Sequence, residues 1–336
     1  MKVFHIESGL GNQMLDYADM IASASRNNDE YYIETILYEL GEAQDEIAMW
    51  NGYELERVFG LHPNNVKTLF NKEEWAEIIR DVLKSEFWND GWTYSDAITT
   101  AFRKHGLNLI DRNPRIHNGL KVLPMEMKYS KYIVRQLYYR ILKSKENNAA
   151  IPDRIYFRSI TDDFNGHFLK LMYKGNQIDK IERQIRAAFQ FPVYDEKNAK
   201  FAKKLKKVNS VAIHARRGDF LGHNAYCYKF GYFRRALSFI RKKVSAPVFV
   251  FFCDPGSVEW CKENPYIFGL NFEKDKVEFV DWNLGTDSYR DMQLMTDCKH
   301  NIITNSSFGW WGAYLNDNPD KITISPDARI NTTHWV

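Results

Sequence analysis

The chain has 336 residues, 44% of them hydrophobic and 26% charged, which excludes wholesale disorder and leaves room for two domains of ordinary size. A formal net charge of +3 is too small to make nucleic acid the main partner. The aromatic content of 15% suits stacking against sugars or bases, and it equally suits large cores.

Val3 to Ile6 reads as a strand, ended by Ser8-Gly9-Leu10-Gly11, and residues 1–6 show no apolar segment or cleavage site of a signal peptide. Asn12 then opens a predicted helix whose apolar positions Met14, Ala18, Ile21 and Ala22 share one face. Two glycines between strand and helix let another molecule approach the backbone closely. Residues 30–200 read as irregular and mostly helical. Within them, 129–142 is basic and aromatic, which fits the solvated face of a packed helix first and a membrane-surface helix second. No stretch approaches the roughly 20 apolar residues of a membrane span.

From 199 the rhythm becomes legible. A lysine-rich helix (199–207) leads into a strand at 211–213, an arginine-rich loop, and a helix at 232–242. Residues 248–253 form an apolar, β-branched and aromatic run, the pattern of a strand buried on both faces. Helices follow at 256–262, 289–296 and 308–315, alternating with strands at 277–280, 301–304 and, last, 321–324. This alternation predicts an α/β architecture, a parallel sheet with crossover helices in a Rossmann-like domain over 201–336, after a helix-rich domain over 1–200. Cys227, Cys253, Cys261 and Cys298 show no CxxC pairing and read as reduced structural residues, so a cytoplasmic enzyme is expected.

Ligands of such sheets bind beyond the carboxyl ends of the strands, and two motifs fall there. The first is His214-Ala215-Arg216-Arg217-Gly218-Asp219. Two arginines straight after a buried strand cannot lose their charge, and a diphosphate gives them a partner through paired hydrogen bonds. It would also let them stabilise a departing diphosphate. The bland reading is an Arg217–Asp219 ion pair bracing the loop, and the two combine if Arg216 serves the ligand and Arg217 the structure. The second motif is Asn305-Ser306-Ser307-Phe308, a helix start that either offers N–H groups and hydroxyls to an anion or is a plain serine cap. Gly9-Leu10-Gly11-Asn12-Gln13 fails as a dinucleotide fingerprint, because Met14 stands where a third glycine belongs, but Asn12 and Gln13 could bind sugar hydroxyls. There is no Asp-x-Asp, no Walker loop, no nucleophile elbow and no metal-ligand spacing, so a nucleotide-sugar transferase without metal or other cofactor is expected.

These residues together resemble the bacterial α-1,2-fucosyltransferases of glycosyltransferase family eleven. The likeness lies in Gly9 to Met14, in His214 to Asp219, and in Cys298-Lys299-His300-Asn301 with Asn305 to Ala313. The resemblance implies a GT-B protein, two Rossmann-like domains facing a cleft, with residues 1–200 on the acceptor side. It implies GDP-fucose as the donor, with Arg216 on the diphosphate, Ser306, Ser307 and Phe308 beside it, and His214 and Asp291 facing guanine. An ion pair of Asp291 with Arg290 or Lys299 is the alternative. Leu15-Asp16 stands where Phe-Gln is common in the family, Phe220 where Tyr is common, and Gly309 where Ser is common. The Asp16 change bears on the acceptor side, with Gly9, Gly11, Asn12 and Gln13.

The activity implied is inverting transfer of L-fucose to the 2-OH of a terminal β-galactoside, through an oxocarbenium-like transition state. Asp219, His223 and Asp16 are the candidates for general base. The partners implied are GDP-fucose and a galactose-terminated oligosaccharide, with peripheral membrane association compatible and no nucleic acid. The rivals are another GDP-sugar or linkage, and a glycan- or nucleotide-binding module without catalysis.

Overall fold

A computed structural model describes residues 1–25, 28–43, 45–47, 50–111, 154–156, 171–174, 178–218 and 221–336, with the backbone alone at 110–111, 154–156 and 221–224. The basic, aromatic run 129–142 lies outside the described residues. The chain divides into two compact units, Met1–Leu171 with Asn176–Ala188, and Met172–Gly175 with Phe189–Val336.

The first unit is built on a parallel sheet of β1 (Lys2–His5), β2 (Tyr31–Glu34), β3 (Ile110–Asp111) and β4 (Arg154–Tyr156), in the order β2-β1-β4-β3. Strands of two to four residues are too short to show an alternating pattern, which is why this region reads as helical in sequence. The helix Leu10–Ala24 crosses from β1 to β2 and buries Met14, Leu15, Ala18 and Ala22. It starts two residues before Asn12, at the glycine pair itself. Helices Lys72–Lys84 and Tyr94–Lys104 contribute Trp75, Ile78, Val82, Ile98 and Phe102 to the main core. The first of them opens with a capping box, Asn71 and Glu74 each bonding the other's backbone N–H.

The second unit carries β5 (Asn209–Ala215), β6 (Pro247–Cys253), β7 (Lys276–Val280), β8 (His300–Ile302), β9 (Thr323–Ser325) and β10 (His334–Trp335), all parallel. The order β10-β9-β8-β5-β6-β7 is that of a doubly wound Rossmann sheet. The two-residue β10 is an addition, since the sequence pattern ends the sheet at β9. Along β5 the side chains alternate. Val211, Ile213 and Ala215 join Phe249 and Phe251 in the core under helix Tyr232–Lys243, from which Phe233, Leu237 and Ile240 descend. The period of two turns Ala212 and His214 to the opposite face. There helix Ser307–Tyr314 packs, with Trp310 and Trp311 fully buried. All four cysteines are free thiols, with Cys227, Cys261 and Cys298 buried.

Candidate functional site

In the second unit the chain leaves β5 toward β6 and β7 on one side, then returns to β8, β9 and β10 on the other. The crevice at the carboxyl ends of β5 and β8 is therefore the switch point where such sheets hold their ligands. Both motifs sit there, His214 to Gly218 after β5 and Asn305 to Phe308 after β8.

His214 is buried and stacks on Phe308, ring centroids 5.6 Å apart at 26°. Burial, helped by the Arg216 charge, pulls its pKa down to about 3, so the imidazole is neutral at ordinary pH. A Cβ on Gly309 would stand 2.4 Å from His214 Nδ1, so only glycine fits beneath that ring. Gly312 has a similar reason, because a Cβ there would meet Met295 at 2.9 Å. Among the described residues, His214 Nδ1, Arg217 Nε and Thr304 Oγ1 are buried without a hydrogen-bond partner. Such atoms are rare in folded proteins, and these three of the eleven among the described residues lie at the ends of β5 and β8.

The two arginines part company. Arg216 forms an ion pair with Asp254, the first residue beyond β6, and the same carboxylate accepts the backbone N–H of Arg217. The Arg217 guanidinium lies over the Trp260 ring, 3.3 Å from its centroid, with Tyr228 at 5.8 Å. Arg217 is thus held by aromatic faces. Its expected partner Asp219 lies outside the described residues, and so does the side chain of His223, whose backbone falls in helix Leu221–Lys229. Asp254 is the residue that sequence reading missed. Its signal was a lone carboxylate straight after a strongly apolar strand, on the same edge as the arginines.

Ser306 is the N-cap of helix Ser307–Tyr314, extended at φ −142°, and its hydroxyl makes no capping bond. Ser307 and Phe308 are half-buried in the first turn, where N–H groups and the helix dipole favour an anion. Asp291 lies in the first turn of helix Tyr289–Asp297, which follows β7 and so begins on the same edge of the sheet. It accepts a hydrogen bond from Asn283 Nδ2 at 2.8 Å, and burial raises its pKa to about 8. The ion pairs considered for Asp291 do not form. Arg290 reaches Asp195 at 3.1 Å and Asp287 at 3.5 Å, while Lys299 donates to Asn209. Asn283 is positioned in turn by buried Asn198 of helix Glu196–Lys207.

Residues 195–333 match the family model described as Glycosyl transferase family 11. This region is thus similar to family 11 glycosyltransferases. It coincides with the second unit from the start of helix Glu196–Lys207 onward. An alpha-1,2-colitosyltransferase of Escherichia coli is 35% identical over 124 residues, 35% of this chain and 40% of that protein. The O-antigen biosynthesis glycosyltransferase WbnK of Escherichia coli is 34% identical over 145 residues, 38% of this chain and 44% of that protein. The galactoside alpha-(1,2)-fucosyltransferase 1 of Homo sapiens is 34% identical over 110 residues, 31% of this chain and 28% of that protein. The matches thus span less than half the length of these relatives. Among solved structures, that of NodZ alpha-1,6-fucosyltransferase soaked with GDP-fucose aligns over 96% of this chain and 94% of its own, at 13% identity and a TM-score of 0.46.

The first unit carries the remaining candidates. Gln13 was expected among the sugar-binding residues, but its amide is fully engaged with backbone. Nε2 donates to the carbonyls of Ser8 and Gly52, each at 2.9 Å, and Oε1 accepts the Glu54 N–H at 2.8 Å. Asp16, a candidate base, is buried and accepts the Glu7 N–H at 3.1 Å, so its carboxylate braces the loop after β1. Asp19 lies beside it, its pKa raised by burial and by the Asp16 charge. Gly9 caps the helix without a side chain, Gly11 is buried, and Asn12 is half-buried in the first turn. Among the described residues no helix is long and apolar enough to cross a membrane, and no group of three His, Cys, Asp or Glu is placed to hold a metal ion.

Proposed function

We propose that this protein transfers L-fucose from GDP-β-L-fucose to the 2-OH of a terminal β-galactoside, with inversion, giving an α-1,2 linkage. The observation that carries the reading is the flanking of one strand-end crevice by Arg216, braced on Asp254, and by the N-terminus of helix Ser307–Tyr314. A diphosphate fits that pair of positive groups. Arg216 and the helix N-terminus stabilise the charge that develops on departing GDP. His214 and Asp291 face guanine, and an ionised Asp291 accepts both guanine N1–H and N2–H. The acceptor hydroxyl attacks C1 from the face opposite GDP. Asp219 and His223 stand as the candidate bases, while Asp16, committed to the loop, drops behind them.

The test is a transfer assay with GDP-fucose on a panel of β-galactosides, followed by linkage analysis. The expected result is an α-1,2 product, abolished in Arg216→Ala. Tight GDP binding without turnover of any donor would overturn the reading and leave a binding module. A second reading, the same chemistry with another GDP-linked deoxy sugar, is supported by the 35% identity to a colitosyltransferase. Running several sugar nucleotides side by side separates the two.

A further inference from the structure

A half-exposed indole stands near the carboxyl end of β1, resting against Gly9. Trp50 is 49% exposed and its backbone is left-handed at φ 45°, a conformation that a bulky residue adopts only at a cost. The ring lies against Gly9, where a Cβ would be 3.5 Å from the indole Cγ and Cδ1. The neighbouring Ser8 is also left-handed, at φ 65°. Its carbonyl is held by Gln13 Nε2 at 2.9 Å and by the Tyr38 hydroxyl at 2.6 Å. The same Gln13 amide ties down Gly52 and Glu54, just after Trp50. The ring thus rests beside backbone that a buried glutamine holds in place, on the strand-end edge where parallel sheets bind ligands. A half-exposed apolar ring resting on backbone, and not folded into the adjacent core, has the properties of a stacking platform.

We infer that Trp50 is the acceptor platform of the first unit, stacking on the apolar face of a β-galactoside; this rests on the transfer reading above. A β-galactose ring suits the indole, because its axial O4 leaves H1, H3, H4 and H5 together on one face. Covering that face leaves the equatorial 2-OH at the ring edge, open to attack. A glucoside, with H4 on the other face, offers a poorer match.

The experiment compares wild type, Trp50→Phe, Trp50→Ala and Trp92→Ala in transfer assays. Trp92 is the matched control, 50% exposed and left-handed at φ 63° but resting on Phe87. Expected is an acceptor KM raised about tenfold in Trp50→Ala, roughly 1.4 kcal/mol, and less in Trp50→Phe. The KM for GDP-fucose and the affinity for GDP should not change, and Trp92→Ala should match wild type. An unchanged acceptor KM in Trp50→Ala, or an equal rise in Trp92→Ala, would overturn the platform while leaving the transfer reading intact. Should wild type transfer nothing, the transfer reading falls. Saturation-transfer NMR with methyl β-galactoside then decides the platform. A galactoside signal present in wild type and abolished in Trp50→Ala supports it, and a signal equal in both proteins, or seen in neither, overturns it.

Discussion

Asp254 holds Arg216 and the loop behind it through one carboxylate, one oxygen on the Arg216 guanidinium and the other on the Arg217 N–H. The proposed diphosphate contact requires a planar cation of fixed direction, and this pair fixes it from the neighbouring strand. Removing the carboxylate should leave Arg216 charged but loosely aimed. Asp254→Ala is expected to lower kcat/KM for the donor by roughly 10- to 100-fold, the scale of a small misplacement at a reacting centre. Steady-state kinetics with varied GDP-fucose measure it, and activity equal to wild type would remove Asp254 from the grip.

Gly309 has no space for a side chain, since a Cβ would press on the buried His214 ring. Gly309→Ala must displace that ring and disturb its stacking on Phe308. A destabilisation of about 1–3 kcal/mol is expected, the range for overpacking a filled core. Urea unfolding reads the stability, and GDP titration should show weakened binding in the same variant.

Asp291 gives a pH dependence of defined sign. Its folded value near 8 stands above the ordinary 3.8 because burial disfavours the charge. The folded protein therefore binds more protons than the unfolded chain between these values, and stability falls as pH climbs from 3.8 to about 8. On the reading proposed above, in which the Asp291 carboxylate reads guanine, GDP should bind more tightly as pH approaches 8 and should release a proton below it. Calorimetry in two buffers of different ionisation enthalpy detects the proton. Asp291→Asn should lose both the proton release and the GDP affinity, while melting higher than wild type at pH 8.5.

Gln13 joins the loop after β1 to the Gly52–Glu54 segment with three hydrogen bonds inside a fully buried site. Gln13→Ala leaves the buried Glu54 N–H and the Gly52 carbonyl without this partner, at about 1–3 kcal/mol each, while the Ser8 carbonyl keeps the Tyr38 hydroxyl. The variant should lose roughly 2–4 kcal/mol of stability, and Gln13→Glu, which sets a buried carboxylate oxygen against the Ser8 and Gly52 carbonyls, should lose at least as much. Denaturant midpoints measure both, and a Gln13→Ala variant as stable as wild type but defective toward acceptor would restore its sugar-binding role.

Much of the second unit was legible in the chain alone, and for a plain reason. Strands such as β5 and β6 are buried on both faces, so they appear as unbroken apolar runs, and the helices between them carry their own period. That alternation dictates a parallel sheet, and a parallel sheet dictates that His214, Arg216, Ser306 and Ser307 reach its carboxyl edge. Apart from β1, the described strands of the first unit, two to four residues long, carry no such signal, because pairing with neighbours and not local pattern makes them strands. Nor could sequence spacing assign partners. Asp254 lies 38 residues from Arg216, and the two meet because β5 and β6 are adjacent strands in register. The glutamine that reads as a sugar ligand in Gly9-Leu10-Gly11-Asn12-Gln13 is claimed by a carbonyl and an N–H some 40 residues away. Residue types and periodicity, which are local, settled where charge and backbone donors gather on the second unit. Which side chains remain available there, and which are already spent on the fold, was decided by long-range hydrogen bonds that only the tertiary structure brings together.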